Sequence, residues 1–214
     1  MGKGKIKRFE EFTSFENTIE YSDPSAKQKL LELVEGWKSI IIELGAGKAD
    51  LSVELAKRNP EKLYIAIDIQ GERLWKGAKD SSENNLDNIF FLRIYIEDLT
   101  EYFSEKSIDE IWITFPDPYP KDRHAKRRLS SPRFLDMYKT LLKDDGFIHF
   151  KTDDIDLFEY TLETAKANSA NIVNLHKNIY TDVVDNPDLY VKTDFEKKHL
   201  AKGKDIQYVC FALS

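Results

Sequence analysis

Cysteine is almost absent from this 214-residue chain: Cys210 stands alone. An internal disulfide is therefore excluded, and the usage suits a reducing compartment such as the cytoplasm. In the segment VCFAL, Cys210 reads as a small core residue. Positive charge is the minority, since 32 Lys and Arg face 38 Asp and Glu for a net charge of −6. A protein that coats nucleic acid along its whole surface is excluded, and any contact with a polyanion must be local. No apolar run approaches the length of a bilayer span. The opening MGKGKIKR is charged and lacks the apolar core of a signal peptide. The four histidines, at 124, 149, 176 and 199, are dispersed, so no metal site is expected. Apolar residues are not scarce. At 41% hydrophobic and 12% aromatic, the chain is not globally disordered. A chain of this length buries roughly 70% of its unfolded surface, enough for one real core.

Residues 1–22 are polar with scattered aromatics and are expected to form a partly flexible arm; residues 23–214 are expected to form a single domain. A helix is predicted from Asp23-Pro24 to about residue 35. Short apolar runs follow at SIIIEL (39–44), KLYIAID (62–68), NIFFLRIY (88–95), SIDEIWITF (107–115) and FIHFKT (147–152). Each reads as a buried strand. Helices are predicted between them over 50–58, 72–85, 132–143 and 156–168, with two final strands near 172–180 and 205–213. Strict alternation of strand and helix implies a mainly parallel α/β sheet with helices on both faces. In such sheets ligands bind beyond the carboxyl ends of the strands. The loops to inspect are therefore Glu43–Asp50, Asp68, Tyr95–Asp98, Phe115–Lys121 and Lys151–Asp154.

The first of these, ELGAGKAD (43–50), is an incomplete dinucleotide fingerprint. Gly45 and Gly47 permit a tight turn, but Asp50 stands where a third glycine would be. Glu43 and Asp50 also bracket the turn with negative charge, which repels a pyrophosphate. A ligand carrying an ammonium and a sulfonium suits this loop better, and S-adenosylmethionine carries both. Asp68, about twenty residues on, is placed to accept ribose hydroxyls.

FPDPYPKDRHAKRR (115–128) is the most informative stretch. Prolines at 116, 118 and 120 stiffen the backbone around Asp117 and remove its neighbouring donors. Lys121, Arg123, Lys126, Arg127 and Arg128 then crowd around His124, and with Asp122 the eight residues carry a charge of +4 in a chain of net −6. Such a patch reads either as a solvated loop face or as a contact for phosphates, which would make binding strongly salt-dependent. Lys3, Lys5, Lys7 and Arg8 read as a solubilising tail or a second contact.

This stretch closely resembles the signature of the bacterial tRNA (guanine-N7)-methyltransferases of the TrmB type, F-[SP]-D-P-W-P-K-x-R-H-x-K-R-R, with Tyr119 in place of Trp. ELGAGKAD is similar to that family's E-x-G-x-G loop, AIDIQ (66–70) to its G-I-E strand end, HFKTDD (149–154) to its H-F-K-T-D, and TDFE (193–196) to its T-x-[YF]-E. Two departures are plain: Asp68 replaces a Glu, and Tyr95 stands where the family has an Asp. The resemblance implies a Rossmann-like class I S-adenosylmethionine-dependent methyltransferase with about seven strands, the last antiparallel. Glu43, Gly45, Gly47, Asp68, Tyr95, Ile96, Glu97 and Asp117 are then expected to hold the donor, with adenine contacted by backbone, Tyr95 or Glu97. Lys121, Asp153, Thr193, Asp194, Phe195 and Glu196 are expected at the guanine, although Asp153 or Asp154 could instead cap the following helix. Arg123, His124, Lys126, Arg127 and Arg128 are expected on the tRNA backbone. The resemblance implies tRNA as partner and substrate, and a cytoplasmic monomer or homodimer without membrane or metal is expected.

Guanine N7 carries a free in-plane lone pair, so the reaction needs no general base, and the missing Ser/His or Cys/His set is no objection. It needs alignment with the S–CH3 bond and a carboxylate for the positive charge that develops on the purine. Asp117 is the catalytic candidate, facing either the guanine edge or the methionine ammonium. Three other readings compete. A methyltransferase for exocyclic amines would show a [DN]-P-P-[YF] turn, and an NAD-dependent oxidoreductase would show a third glycine. A non-catalytic RNA-binding protein would bind without transfer.

Overall fold

The computed structural model describes residues 3–213. Its contacts group the chain into two compact units, divided between Ser104 and Glu105. Eight strands are present among the described residues, mostly parallel with an antiparallel end.

The first unit contains α1 (Lys3–Phe12), β1 (Thr18–Glu20), α2 (Ala26–Val34), β2 (Ile40–Leu44), α3 (Asp50–Arg58), β3 (Leu63–Ile67), α4 (Gly71–Glu83), β4 (Ile89–Arg93) and α5 (Leu99–Tyr102). Its strands run parallel in the order β1-β4-β3-β2. IIIEL and LYIAI are buried at every position, as strands covered on both faces must be. α3 opens on Asp50 and closes on Lys57 and Arg58, charges that suit the ends of a helix dipole. The segment expected as an arm carries two elements. α1 packs on α4, with Phe12 fully buried. The Arg93 guanidinium lies over Phe9 at 4.8 Å and Tyr21 at 4.9 Å and pairs with Glu20 at 3.0 Å. β1 joins β4 through three residues, too few for a strand period to show in sequence.

The second unit contains β5 (Ile108–Thr114), α6 (Pro132–Leu141), β6 (Leu142–Thr152), α7 (Ile155–Ala167), β7 (Asn171–His176), α8 (Asp194–Leu200) and β8 (Gln207–Ala212). Its order is β5-β6-β8-β7, with β8 antiparallel to both neighbours. β6 starts five residues before the expected strand. Ile108 pairs with Leu142 but Glu110 pairs with Phe147, so residues 143–146 bulge out of the ladder. Gly146 fits there because a Cβ would come within 3.0 Å of the Lys143 carbonyl and 3.1 Å of the Asp109 carbonyl. No helix among the described residues is long and apolar enough to cross a membrane.

Candidate active site

Of the residues expected to hold the donor, all but Asp117 lie in the first unit. Gly45 and Gly47 have φ of 69° and 59°, and Ala49 follows in the same left-handed region at 58°. Three such residues fold the loop back on itself, with the Ala46 amide donating to the Ile67 carbonyl at 3.0 Å. Gly47 has a second constraint: a Cβ there would meet the Arg73 guanidinium at 2.8 Å. Its amide donates to Asp68 Oδ2 at 2.9 Å, while the Gln70 amide donates to Oδ1 at 2.8 Å. Asp68 is thus locked against the glycine turn, and each oxygen keeps a second lone pair. Glu43 is buried and works from the end of β2: the Ser52 amide and hydroxyl both donate to its Oε2, at 3.3 and 2.5 Å. Ala49 supplies no side-chain cap to α3, and Glu43 satisfies one orphan donor of the first turn, the Ser52 amide, from a distance. Buried carboxylates beside two left-handed glycines make an anionic cradle, which fits the sulfonium and ammonium of S-adenosylmethionine. Tyr95, Ile96 and Glu97 follow β4, where residues 96–98 form a 3-10 turn. Tyr95 is 51% exposed and meets Tyr21 ring to ring at 5.9 Å.

Asp117 and the residues expected at the guanine and the tRNA backbone lie in the second unit. The turn after β5 begins when the Phe115 amide donates to the Lys151 carbonyl at 2.8 Å. Phe115 and Tyr119 then take φ of 50° and 43°, uncommon for bulky side chains. Asp117 between them is exposed and accepts no hydrogen bond from the described residues. Arg128 holds the turn from behind, donating to the Pro118 carbonyl at 3.1 Å and the Tyr119 carbonyl at 3.0 Å, with Tyr160 under its guanidinium. Arg127 lies over the Tyr119 ring at 5.1 Å, and His124 meets that ring edge-on at 6.4 Å. Lys121, Arg123 and Lys126 are exposed, and none pairs with a carboxylate among the described residues. The run of cations therefore divides: three face outward, one lies on an aromatic, and Arg128 builds the turn.

Asp153 and Asp154 divide in the same way. Asp154 caps α7, accepting from the Leu157 amide at 2.9 Å. Asp153 meets His199 Nδ1 at 2.7 Å and the Lys204 ammonium. Burial alone would raise the Asp153 carboxyl, but the Lys204 and His199 contacts overcome it and hold it below the usual aspartate value. TDFE is a helix start. Thr193 Oγ1 accepts from the Glu196 amide at 3.1 Å, half of a capping box. The Glu196 side chain does not complete the box. It is fully buried and accepts from Lys151 Nζ at 2.8 Å and from the Tyr180 hydroxyl at 2.7 Å. Phe195 is 44% exposed, stacks on His199 at 4.1 Å and touches Phe115 at 5.2 Å, beside half-buried Asp194.

Sequence reasoning gave no role to Ser52, Lys151, Tyr180 or His199, although Lys151 opens one of the loops singled out for inspection. Lys151 alone left a signal: a lysine ending the apolar run FIHF belongs to a buried strand and must find a partner. Among the described residues, no three His, Cys, Asp or Glu side chains group to hold a metal ion.

Residues 37–209 match the model of a family described as putative methyltransferases. Solved structures carry the same fold at low identity. The 16S rRNA methyltransferase KamB aligns with a TM-score of 0.67 at 14% identity, covering 87% of this chain and 93% of that one. A 16S rRNA (adenine(1408)-N(1))-methyltransferase from Catenulisporales acidiphilia, solved with cosubstrate SAM, aligns at 0.63 and 12%, covering 87% and 91%. The fold and the glycine loop thus define a class I methyltransferase. Within that class, the tRNA (guanine-N(7)-)-methyltransferase of Christiangramia forsetii is 39% identical over 99% of this chain and 98% of its own length. The chain belongs to the tRNA (guanine-N7)-methyltransferase family.

Proposed function

We infer that the chain transfers a methyl group from S-adenosylmethionine to N7 of guanine in tRNA, and that the target is the guanosine of the variable loop, position 46. The single observation that carries the reading is the turn at 115–120, a stiffened loop with Asp117 exposed and followed in the chain by three exposed cations, Lys121, Arg123 and Lys126. When bound, S-adenosylmethionine supplies an electrophilic methyl. That methyl would go to the free lone pair of N7, so the protein would need to align the two and would have no proton to move.

The chain's residues prepare that step. Glu43, Gly45, Gly47 and Asp68 hold the donor, with Asp68 offering its spare lone pairs to the ribose. Tyr95, Ile96 and Glu97 flank the adenine. Asp117 faces the guanine edge or the donor ammonium and stabilises the charge that moves onto the purine. Lys121, Asp153, Thr193, Asp194 and Phe195 border the guanine. Arg123, His124 and Lys126 meet tRNA phosphates, and Arg127 does so from the Tyr119 ring. We read residues 23–214 as one methyltransferase domain. We place it in the cytoplasm, where its substrate is made.

Incubation of unmodified tRNA with labelled S-adenosylmethionine tests the reading. It is expected to give 7-methylguanosine at position 46, and Asp117→Asn is expected to slow turnover on the order of 100-fold. Binding of tRNA without label would instead favour a non-catalytic protein. Label at another base would move the target, and full activity in Asp117→Asn would remove Asp117 from the chemistry.

A further inference from the structure

We propose that Lys151 is a positioning residue of the acceptor site, holding the turn at 115–120 and helix α8 in register through one buried ionic node. The inference rests on the acceptor reading above. Lys151 is the penultimate residue of β6 and is nearly inaccessible, so a charge there must be matched. Three segments converge on it, and a fourth joins through Glu196. Its carbonyl accepts from the Phe115 amide, the first bond of the Asp117 turn. Its ammonium stands 5.9 Å from the Phe115 ring. It donates to the Leu189 carbonyl at 2.8 Å, which ties down the loop before α8. It also donates to Glu196 of α8, whose second oxygen accepts from the Tyr180 hydroxyl. Burial pulls the Lys151 ammonium down from the ordinary lysine value while Glu196 pulls it back, and the same carboxylate helps burial push the Tyr180 phenol up.

The carboxylate of Glu196 therefore cannot reach a guanine from where it lies. Its part is to fix Thr193, Asp194 and Phe195, the preceding residues on the same turn, against a strand that also anchors Asp117. A buried ion pair is a poor device for stability alone, since apolar residues of similar volume often do as well. Its directional geometry is what an apolar replacement cannot copy.

A cycle of Lys151→Gln, Glu196→Gln and the double variant tests this, beside Lys151→Met/Glu196→Met. Each single Gln variant is expected to lower kcat/KM for tRNA roughly tenfold, with the double no worse than either because both break one node. Affinity for S-adenosylhomocysteine, read by calorimetry, is expected to stay at the wild-type value. The Met/Met variant is expected to recover the melting midpoint but not tRNA turnover. Recovery of both would make the pair merely structural and overturn the proposal. So would loss of turnover in Glu196→Gln alone with Lys151→Gln unaffected, which would assign Glu196 to the guanine directly. Should wild type itself fail to methylate tRNA, the functional reading fails first, and that result is separate.

Discussion

Asp153 and Asp154 are adjacent, chemically identical side chains with different partners, and the difference can be measured. Asp153 is held by His199 and Lys204 and its pKa is depressed. A carboxyl depressed in the folded state contributes stability above its unfolded pKa of about 3.9, and loses that contribution as pH falls through the lower folded value. The gap in unfolding midpoint between wild type and Asp153→Asn is therefore expected to narrow as pH falls below about 4 and to close as the pH passes the lower folded value. Arg128 gives the second prediction at this scale. It is the only guanidinium of the 121–128 run bonded to two turn carbonyls, so Arg128→Ala is expected to cost about 2 kcal/mol in chemical denaturation. In sequence the five cations look alike, because charge and spacing say nothing of direction. Only the reversal at Phe115 and Tyr119 turns Arg128 inward, and positive φ at a bulky residue leaves no mark in composition.

Helix starts carry more than secondary structure here. Thr193 caps α8 and Asp154 caps α7, each accepting from an amide three residues on. Replacing either by Ala is expected to cost about 1 kcal/mol. Thr193→Ala is expected also to reduce tRNA turnover, because it loosens Asp194 and Phe195, whereas Asp154→Ala is expected to lose stability alone; melting curves and kinetics on the same samples separate the two. The five buried strands were legible because runs such as IIIEL and LYIAI have no polar face to confuse the reading. α8 was not, since DFEKKHL has too few apolar positions to show a helical period. α1 was hidden for a related reason: KGKIKRFEEF is mostly polar, and its packing hangs on Phe9 and on Phe12. The glycine loop was readable as a turn, but the bond from Ser52 to Glu43 was not, because it spans nine residues and depends on where α3 begins.

Taken whole, the protein is acidic with one strong local inversion at 121–128. Affinity for tRNA is expected to fall steeply with salt. Removing an outward cation, as in Lys126→Ala, is expected to lower the slope of log K against log salt by roughly 0.7. Arg128→Ala, which alters the turn rather than the outward charge, is expected to weaken binding with a smaller change in slope. The mainly parallel α/β sheet followed from alternation, and the Rossmann-like class I fold from the family resemblance. The family followed from motifs spread over residues 43–196, and together they outweigh the two departures at Asp68 and Tyr95. Finally, β8 lies between β6 and β7, and its Cys210 is buried. A bulky alkylating reagent reaches that sulfur only after ladder bonds on both sides have opened. With no other thiol in the chain to compete, the rate of modification becomes a clock for transient opening of the second unit. A ligand that steadies this unit, such as tRNA, is expected to slow the clock.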